Sequence, residues 1–371
     1  MFCVGVFNIE FVFSLNENQA LPIIKGIKMK VKLMKTLIFI VAISFKAYSQ
    51  NVDLDFEGIK NIKSQYNCFS SEFSSYDSWL NFLKSNKEAQ FKRRGLVDVS
   101  KKIDDFVVGF EKMFPRTEYE FAKKNLECRF ITYSVGEHDV KGALIIPKLK
   151  IEQGGKIPVI IYNRGGTRNL GSLVFGHLAY ELFPIAHKGF AIIASNYRDD
   201  EQYGSDNINE VTTLFDILEE IPRLNSSKVG IYGISRGGLT SWQLAKEVPD
   251  RVGAIVTVNG ITDFKSWSSE IKGIEHNLNQ IDGYNEHPEK VLTQLSPLRW
   301  VQKISNAPIL LLHSRDDERV NVMQSLRFSE KLIENDRFFR MKIFENGGHS
   351  LDEHRKEALD ETVWWFSRYI K

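Results

Sequence analysis

The chain has 371 residues, 43% of them hydrophobic and 26% charged, with Lys+Arg 49 against Asp+Glu 47 and a formal net charge of +2. These are the proportions of an ordinary globular protein with room for one large core and a smaller appendage. The balanced charge excludes nucleic-acid binding by bulk electrostatics, and the three cysteines (Cys3, Cys68 and Cys128) match no zinc or redox spacing.

Taken in order, residues 1–49 read as a leader. Lys30, Lys32 and Lys35 precede a ten-residue apolar run over 36–45, and small residues follow at Ala47 and Ser49. A basic segment, a short apolar segment and a small-residue junction are the features of a secretory signal peptide, and the run is too short to span a bilayer. Cleavage is expected after Ser49, with translation starting at Met29 or Met34, since a second apolar patch over 2–13 precedes the signal. An N-terminal membrane anchor is the alternative. Export would leave Cys68 and Cys128 in an oxidising compartment, either paired or as two unrelated thiols.

Residues 50–125 are predicted to form a helical segment. Ile103, Phe106, Val107 and Phe110 recur at helical spacing, and Pro115 ends the run. From 126 to 371 the period changes. Residues 129–133 and 140–146 read as a strand pair, and 157–162, 190–195, 229–232, 252–258, 308–312 and 341–344 as further, mostly buried strands. Helical patterns lie between them at 206–221, 239–248 and 357–370. Such alternation predicts an α/β fold, a mostly parallel sheet flanked by helices with functional groups at the carboxyl ends of its strands. Residues 261–301 break the alternation as a cap-like insertion, whose aromatic residues Trp267, Tyr284 and Trp300 are expected to pack its own small core.

The stretch 229–239 reads VGIYGISRGGL, and it contains Gly233-Ile234-Ser235-Arg236-Gly237 between a strand and a helix. In that setting G-x-S-x-G is a nucleophile elbow, a tight turn that lifts the Ser235 hydroxyl off the sheet. The backbone N–H of Arg236 then faces a developing oxyanion. A serine hydroxyl needs a base and a group to orient that base. Of eight histidines, His349 fits best, in the glycine loop Asn346-Gly347-Gly348-His349 after a strand. His138, His276, His287 and His354 read as solvent-facing, and His177 and His187 as packing or helix-surface residues. Asp316 and Asp317, which follow the strand at 308–312, are both in reach of the imidazole by spacing. A second oxyanion donor is expected from Tyr162-Asn163-Arg164-Gly165-Gly166, through the backbone N–H groups of Gly165 and Gly166 or the Tyr162 hydroxyl. No histidine pair shows metal spacing, and no cofactor is expected.

These residues resemble the α/β-hydrolase superfamily, and more narrowly the prolyl oligopeptidase (S9) type of catalytic domain, over about residues 157–371. The resemblance is carried by Gly233-Ile234-Ser235-Arg236-Gly237-Gly238, by His313-x-x-x-Asp317-x-x-Val320 and by Gly347-Gly348-His349, with Ser195-Asn196-Tyr197-Arg198 ahead of the elbow. It implies that Asp317 is the orienting acid. Ser314 replaces a usual glycine, and Asn163-Arg164 stands where many relatives have a histidine-glycine loop. Relatives that cleave peptides commonly carry a β-propeller, for which the stretch from Gln50 to Lys156 is too short. The implied function is that of a secreted serine hydrolase working through an acyl-enzyme, with peptidase chemistry favoured over a carboxylesterase acting on small or carbohydrate-linked esters. A non-catalytic binding protein on a hydrolase scaffold is the alternative of another class. The expected partner is a small-molecule or peptide substrate, with no nucleic acid and no stable membrane insertion.

Overall fold

A computed structural model describes residues 58–148, 155–167, 170–198 and 203–371; the leader expected over 1–49, with Cys3, lies outside them. The first described strand is β1 (Ile62–Asn67), followed by helices α1 (Tyr76–Arg93), α2 (Ser100–Met113) and α3 (Arg116–Asn125). The N-terminal block is therefore not wholly helical, because β1 joins the main sheet by pairing antiparallel with β2 (Leu126–Val135). Its sequence, IKSQYN, is half exposed and polar, as suits an edge strand, and it lacks the apolar run that marks the central strands.

Among the described residues, nine strands form one sheet in the order β1-β2-β3-β5-β4-β6-β7-β8-β9. β3 (His138–Pro147) closes a hairpin with β2 and pairs antiparallel with β5 (Ala191–Ser195). From β5 onward the pairing is parallel, through β4 (Ile157–Asn163), β6 (Leu224–Ile234), β7 (Val252–Val258), β8 (Ile309–Ser314) and β9 (Phe339–Phe344). Parallel strands need crossovers, and these supply the helices that cover both faces.

One face carries α5 (Ser205–Glu219), α6 (Arg236–Glu247) and α7 (Met323–Glu334); Trp242 of α6 meets Phe328 of α7 ring to ring at 4.8 Å. On α5 the stripe of Ile208, Val211, Phe215 and Leu218, at helical spacing, is buried. The other face carries α4, running from Phe175 to Ala186 with a π-helical turn at Leu178–Leu182, and α8 (Arg355–Tyr369). The inward stripe of α8 is Ala358, Thr362, Trp365 and Phe366, with Leu359 and Val363 only partly buried. The insertion after β7 contains the helices Phe264–Glu270 and Pro288–Gln294. Its core joins Ile261, Phe264, Leu278, Ile281, Val291 and Leu292 to Tyr203, Leu239 and Val320 from outside the insertion. Trp267 and Tyr284 pack on that cluster as expected, whereas Trp300 lies outside it, buried with Nε1 donating to the Gln294 carbonyl and its ring under Lys246 of α6.

Candidate active site

The carboxyl ends of β6, β7, β8 and β9 converge on one loop cluster. Ser235 sits between β6 and α6 with φ 57° and ψ −123°, a conformation rarely adopted by a residue with a side chain. Such backbone strain costs on the order of 1–3 kcal/mol and persists only where the surroundings over-determine it. Here they do. The Ser235 N–H donates to Val258 C=O at 2.9 Å, and its C=O accepts from the N–H of Gly238 at 2.9 Å. The elbow also requires Gly237 to have no side chain, since a Cβ there would lie 1.9 Å from the Asn163 carbonyl oxygen at the end of β4.

Ser235 Oγ lies 2.9 Å from His349 Nε2, and His349 Nδ1 lies 2.7 Å from Asp317 Oδ2. The three side chains thus form one hydrogen-bonded series spanning three loops. Asp317 Oδ1 accepts separately from the N–H groups of Arg319 (2.8 Å) and Val320 (3.0 Å). Burial pushes the Asp317 carboxyl pKa up, but the hydrogen bond and charge of His349, with those two N–H groups, outweigh it and hold it below the ordinary aspartate value.

Several residues support this series. Asn259, at the end of β7, donates through Nδ2 to the His349 carbonyl (2.8 Å) and accepts at Oδ1 from Ser314 N–H (2.9 Å). His313 is fully buried, with Nε2 2.8 Å from the Val320 carbonyl oxygen and Nδ1 2.7 Å from Ser325 Oγ. A carbonyl only accepts, so Nε2 carries the proton and the Ser325 hydroxyl donates to Nδ1. Burial lowers the His313 pKa and favours this neutral form. Asp316 does not pair with Arg315 and Arg319 as a solvated turn would. Its Oδ1 accepts from Ser314 Oγ (2.5 Å) and from Gly348 N–H (2.9 Å). The sequence marks His313 by its place in the motif; nothing local marks Asn259, whose role depends on β7 ending beside β8.

The expected oxyanion donors divide. Gly165 lies directly against the serine: a Cβ on it would stand 3.2 Å from Ser235 Cβ and 3.8 Å from its Oγ. Arg236 is the first residue of α6, so its N–H belongs to a first turn that supplies no acceptor of its own. Gly166, in left-handed conformation at φ 73°, follows in the same loop. The Tyr162 hydroxyl, by contrast, is not placed for this task. Strand alternation turns its side chain to the α4 face, where it is buried, meets the Tyr232 ring at a tilt with centres 5.4 Å apart and shares a 2.9 Å hydrogen bond with His177 Nε2. Of the other expected bystanders, His187 meets Phe121 edge-on, and His354 hydrogen-bonds Asn346 Oδ1 at 2.7 Å. Among the described residues, no group of three or more His, Cys, Asp or Glu is placed to hold a metal ion.

Compared with known proteins, residues 177–371 match the model of the prolyl oligopeptidase family, peptidase family S9. The chain is 26% identical over 202 residues to the uncharacterized peptidase YtmA of Bacillus subtilis, covering 52% of this chain and 74% of that protein. It is 23% identical over 254 residues to the acylamino-acid-releasing enzyme of Mus musculus, covering 62% of this chain but 34% of the mouse enzyme. Among solved structures it resembles an acylaminoacyl peptidase in complex with Z-Gly-Gly-Phe-chloromethyl ketone, with TM-score 0.59 and 24% identity. That match covers 69% of this chain and 44% of the other. The structural likeness is one of fold, the α/β-hydrolase fold. On the family match, which takes in more than half of its residues, the chain belongs to the prolyl oligopeptidase family of serine peptidases.

Proposed function

We propose that this chain hydrolyses peptide bonds through an acyl-enzyme, with Ser235 as nucleophile, His349 as general base and then general acid, and Asp317 as the orienting acid. The observation that carries this reading is the unbroken Ser235–His349–Asp317 series at 2.9 and 2.7 Å. In it His349 Nε2 takes the Ser235 proton as Oγ attacks the carbonyl carbon. The oxyanion so formed is held by the Arg236 N–H and by the loop at Gly165 and Gly166, each donor worth on the order of 3 kcal/mol of barrier. Asp317 keeps the proton of the neutral imidazole on Nδ1 and stabilises the imidazolium. His349 then passes its proton to the leaving amine. Water, deprotonated by the same imidazole, releases the acyl group.

Family membership and the peptidase relatives favour an amide over an ester substrate. Export is part of the same proposal. It is supported by the basic, apolar and small-residue pattern over 30–49 and by the disulfide between Cys68 and Cys128, a bond characteristic of oxidising compartments.

A fluorophosphonate probe tests the nucleophile: labelling of the wild type and not of Ser235→Ala supports it, and labelling of neither overturns it. Aminoacyl-proline amides, N-acylated peptide amides and short acyl esters, assayed on one preparation, test the bond. Turnover of esters alone would overturn the peptidase reading. Mass spectrometry of the N-terminus from cell fractions tests export, which a cytoplasmic chain with an intact leader would refute.

A further inference from the structure

In the proposed reaction only the backbone of Arg236 is used, yet its side chain is buried and engaged. Nη1 donates to the Gly166 carbonyl at 3.0 Å and Nη2 to Asn207 Oδ1 at 2.9 Å. The guanidinium lies 4.7 Å from the ring centre of Tyr197 and 4.7 Å from that of Tyr203. Tyr197 also packs against the guanidinium of Arg164, at 4.8 Å, and Arg164 is buried as well. Arg164, Tyr197, Arg236 and Tyr203 therefore form one contiguous series of alternating cations and rings.

Members of this series hold three successive carbonyls of the loop beside the serine. The Arg164 carbonyl accepts from the Tyr197 hydroxyl at 3.3 Å. The Gly165 carbonyl accepts from Arg164 Nη1 at 3.0 Å, and the Gly166 carbonyl from Arg236 Nη1. In a trans peptide the N–H of the next residue points opposite to the carbonyl. Fixing these three carbonyls therefore fixes the N–H directions of Gly165, Gly166 and Thr167, turned away from the series. Two adjacent glycines have the widest backbone freedom of any pair and no side chains by which to anchor themselves. Their conformation must be imposed from outside: the Tyr197 hydroxyl and Arg164 Nη1 set the N–H groups of Gly165 and Gly166, and Arg236, the residue next to the nucleophile, pins the Gly166–Thr167 peptide that follows.

We propose that the Arg164–Tyr197–Arg236–Tyr203 series is a positioning device for the oxyanion-binding loop, with the Arg236 side chain as its decisive member. One residue thus supplies one oxyanion donor through its backbone, while its guanidinium anchors the far end of the glycine pair and packs on Tyr197, whose hydroxyl holds the near end. This inference rests on the serine-hydrolase reading above.

The test is the kinetics of Arg236→Met and Arg236→Lys, with kcat expressed per serine titrated by the fluorophosphonate. Arg236→Met is expected to lower kcat on the order of 100-fold, the scale of losing one oxyanion donor, with KM within about twofold. The affinity of a trifluoromethyl ketone, whose adduct carries the oxyanion, falls in parallel. Arg236→Lys recovers part of the loss, since an ammonium donates to Gly166 but lacks the planar fork. Arg340→Leu removes an arginine–tryptophan stack of the same kind, over Trp364 in the C-terminal helix α8, and keeps wild-type kcat. Loss of titratable serine with normal kcat per site, or a raised KM with kcat retained, overturns the inference. Should Arg236→Met not accumulate as folded protein, Asn207→Ala decides: kcat is expected to fall about fivefold at constant KM, and an unchanged kcat overturns the proposal. A wild-type chain with no titratable serine instead overturns the hydrolase reading, and this inference falls with it.

Discussion

Asp316 and Asp317 are neighbours in sequence and hold two different atoms of the same loop: Asp317 Oδ2 meets His349 Nδ1, and Asp316 Oδ1 meets the N–H of Gly348. One acid faces the imidazole and the other fixes the backbone that carries it. Asp317→Asn is expected to lower turnover on the order of 10³–10⁴-fold, because the amide favours the wrong imidazole tautomer. Asp316→Asn retains an acceptor oxygen and is expected to stay within about threefold, whereas Asp316→Ala leaves Gly348 without it and costs about tenfold. Steady-state kinetics on one substrate rank the three. The opposite order for the two asparagine variants would reverse the roles assigned to these acids.

Gly165 and Gly237 are both intolerant of a side chain, for different reasons. A Cβ on Gly237 would lie 1.9 Å from the Asn163 backbone, so Gly237→Ala must part α6 from β4 and is expected to destabilise by roughly 2–4 kcal/mol. At Gly165 the nearest atoms are 3.2 Å away, a contact small shifts relieve, and the added methyl would stand 3.8 Å from Ser235 Oγ. Gly165→Ala is expected to melt within a few degrees of wild type while losing at least about tenfold in kcat/KM. Thermal unfolding beside kinetics separates the two effects.

Cys68 and Cys128 close a loop with a sequence separation of 60, from just after β1 to near the start of β2, and both are fully buried. Their bond ties the edge strand and the helices after it to the sheet. Replacing both with alanine is expected to cost about 2–4 kcal/mol, chiefly by freeing the unfolded chain. The Ser235–His349–Asp317 series lies past β6, β8 and β9, at the other side of the strand order from β1 and β2, so kcat at a permissive temperature is expected to stay near wild type. An equal Tm for the double variant and the oxidised wild type would refute the stabilising role.

His177, in the first turn of α4 and hydrogen-bonded to Tyr162, has its pKa lowered to about 4 by burial first and the charge of Arg164 second. In the unfolded chain the same imidazole takes its proton below about 6.5. Between those values the unfolded state binds more protons, so stability falls as pH drops through the window and levels off below it. The loss amounts to as much as about 3 kcal/mol by pH 4. His187, lowered to about 4 by burial and Lys188, adds to the same slope. His177→Gln is expected to flatten the dependence of Tm on pH between 6.5 and 4 without abolishing it. An unchanged slope would show that His177 is not held neutral by the fold.

Periodicity and local motif were enough for the central strands, because strands covered on both faces must be apolar throughout, as in Ile157–Asn163 and Val252–Val258. They were not enough for β1, whose edge position leaves its side chains polar, nor for α7, whose amphipathic pattern follows directly on the acidic turn. The elbow was legible because strand, glycine, serine and helix are contiguous in the chain.

The order of Ser235, an aspartate and His349, each placed just past a strand, was set down in the linear sequence, since it depends only on which residues follow which strands. Spacing left open whether Asp316 or Asp317 meets the imidazole, and only the resemblance of the His313-x-x-x-Asp317 motif pointed to Asp317; the direction of the Tyr162 hydroxyl and the use of the Arg236 guanidinium were not set down at all. Those are matters of which way a side chain leaves its strand or turn and what the neighbouring strand brings opposite it. Sequence spacing carries no such information, because it exists only once β4, β6, β8 and β9 lie side by side.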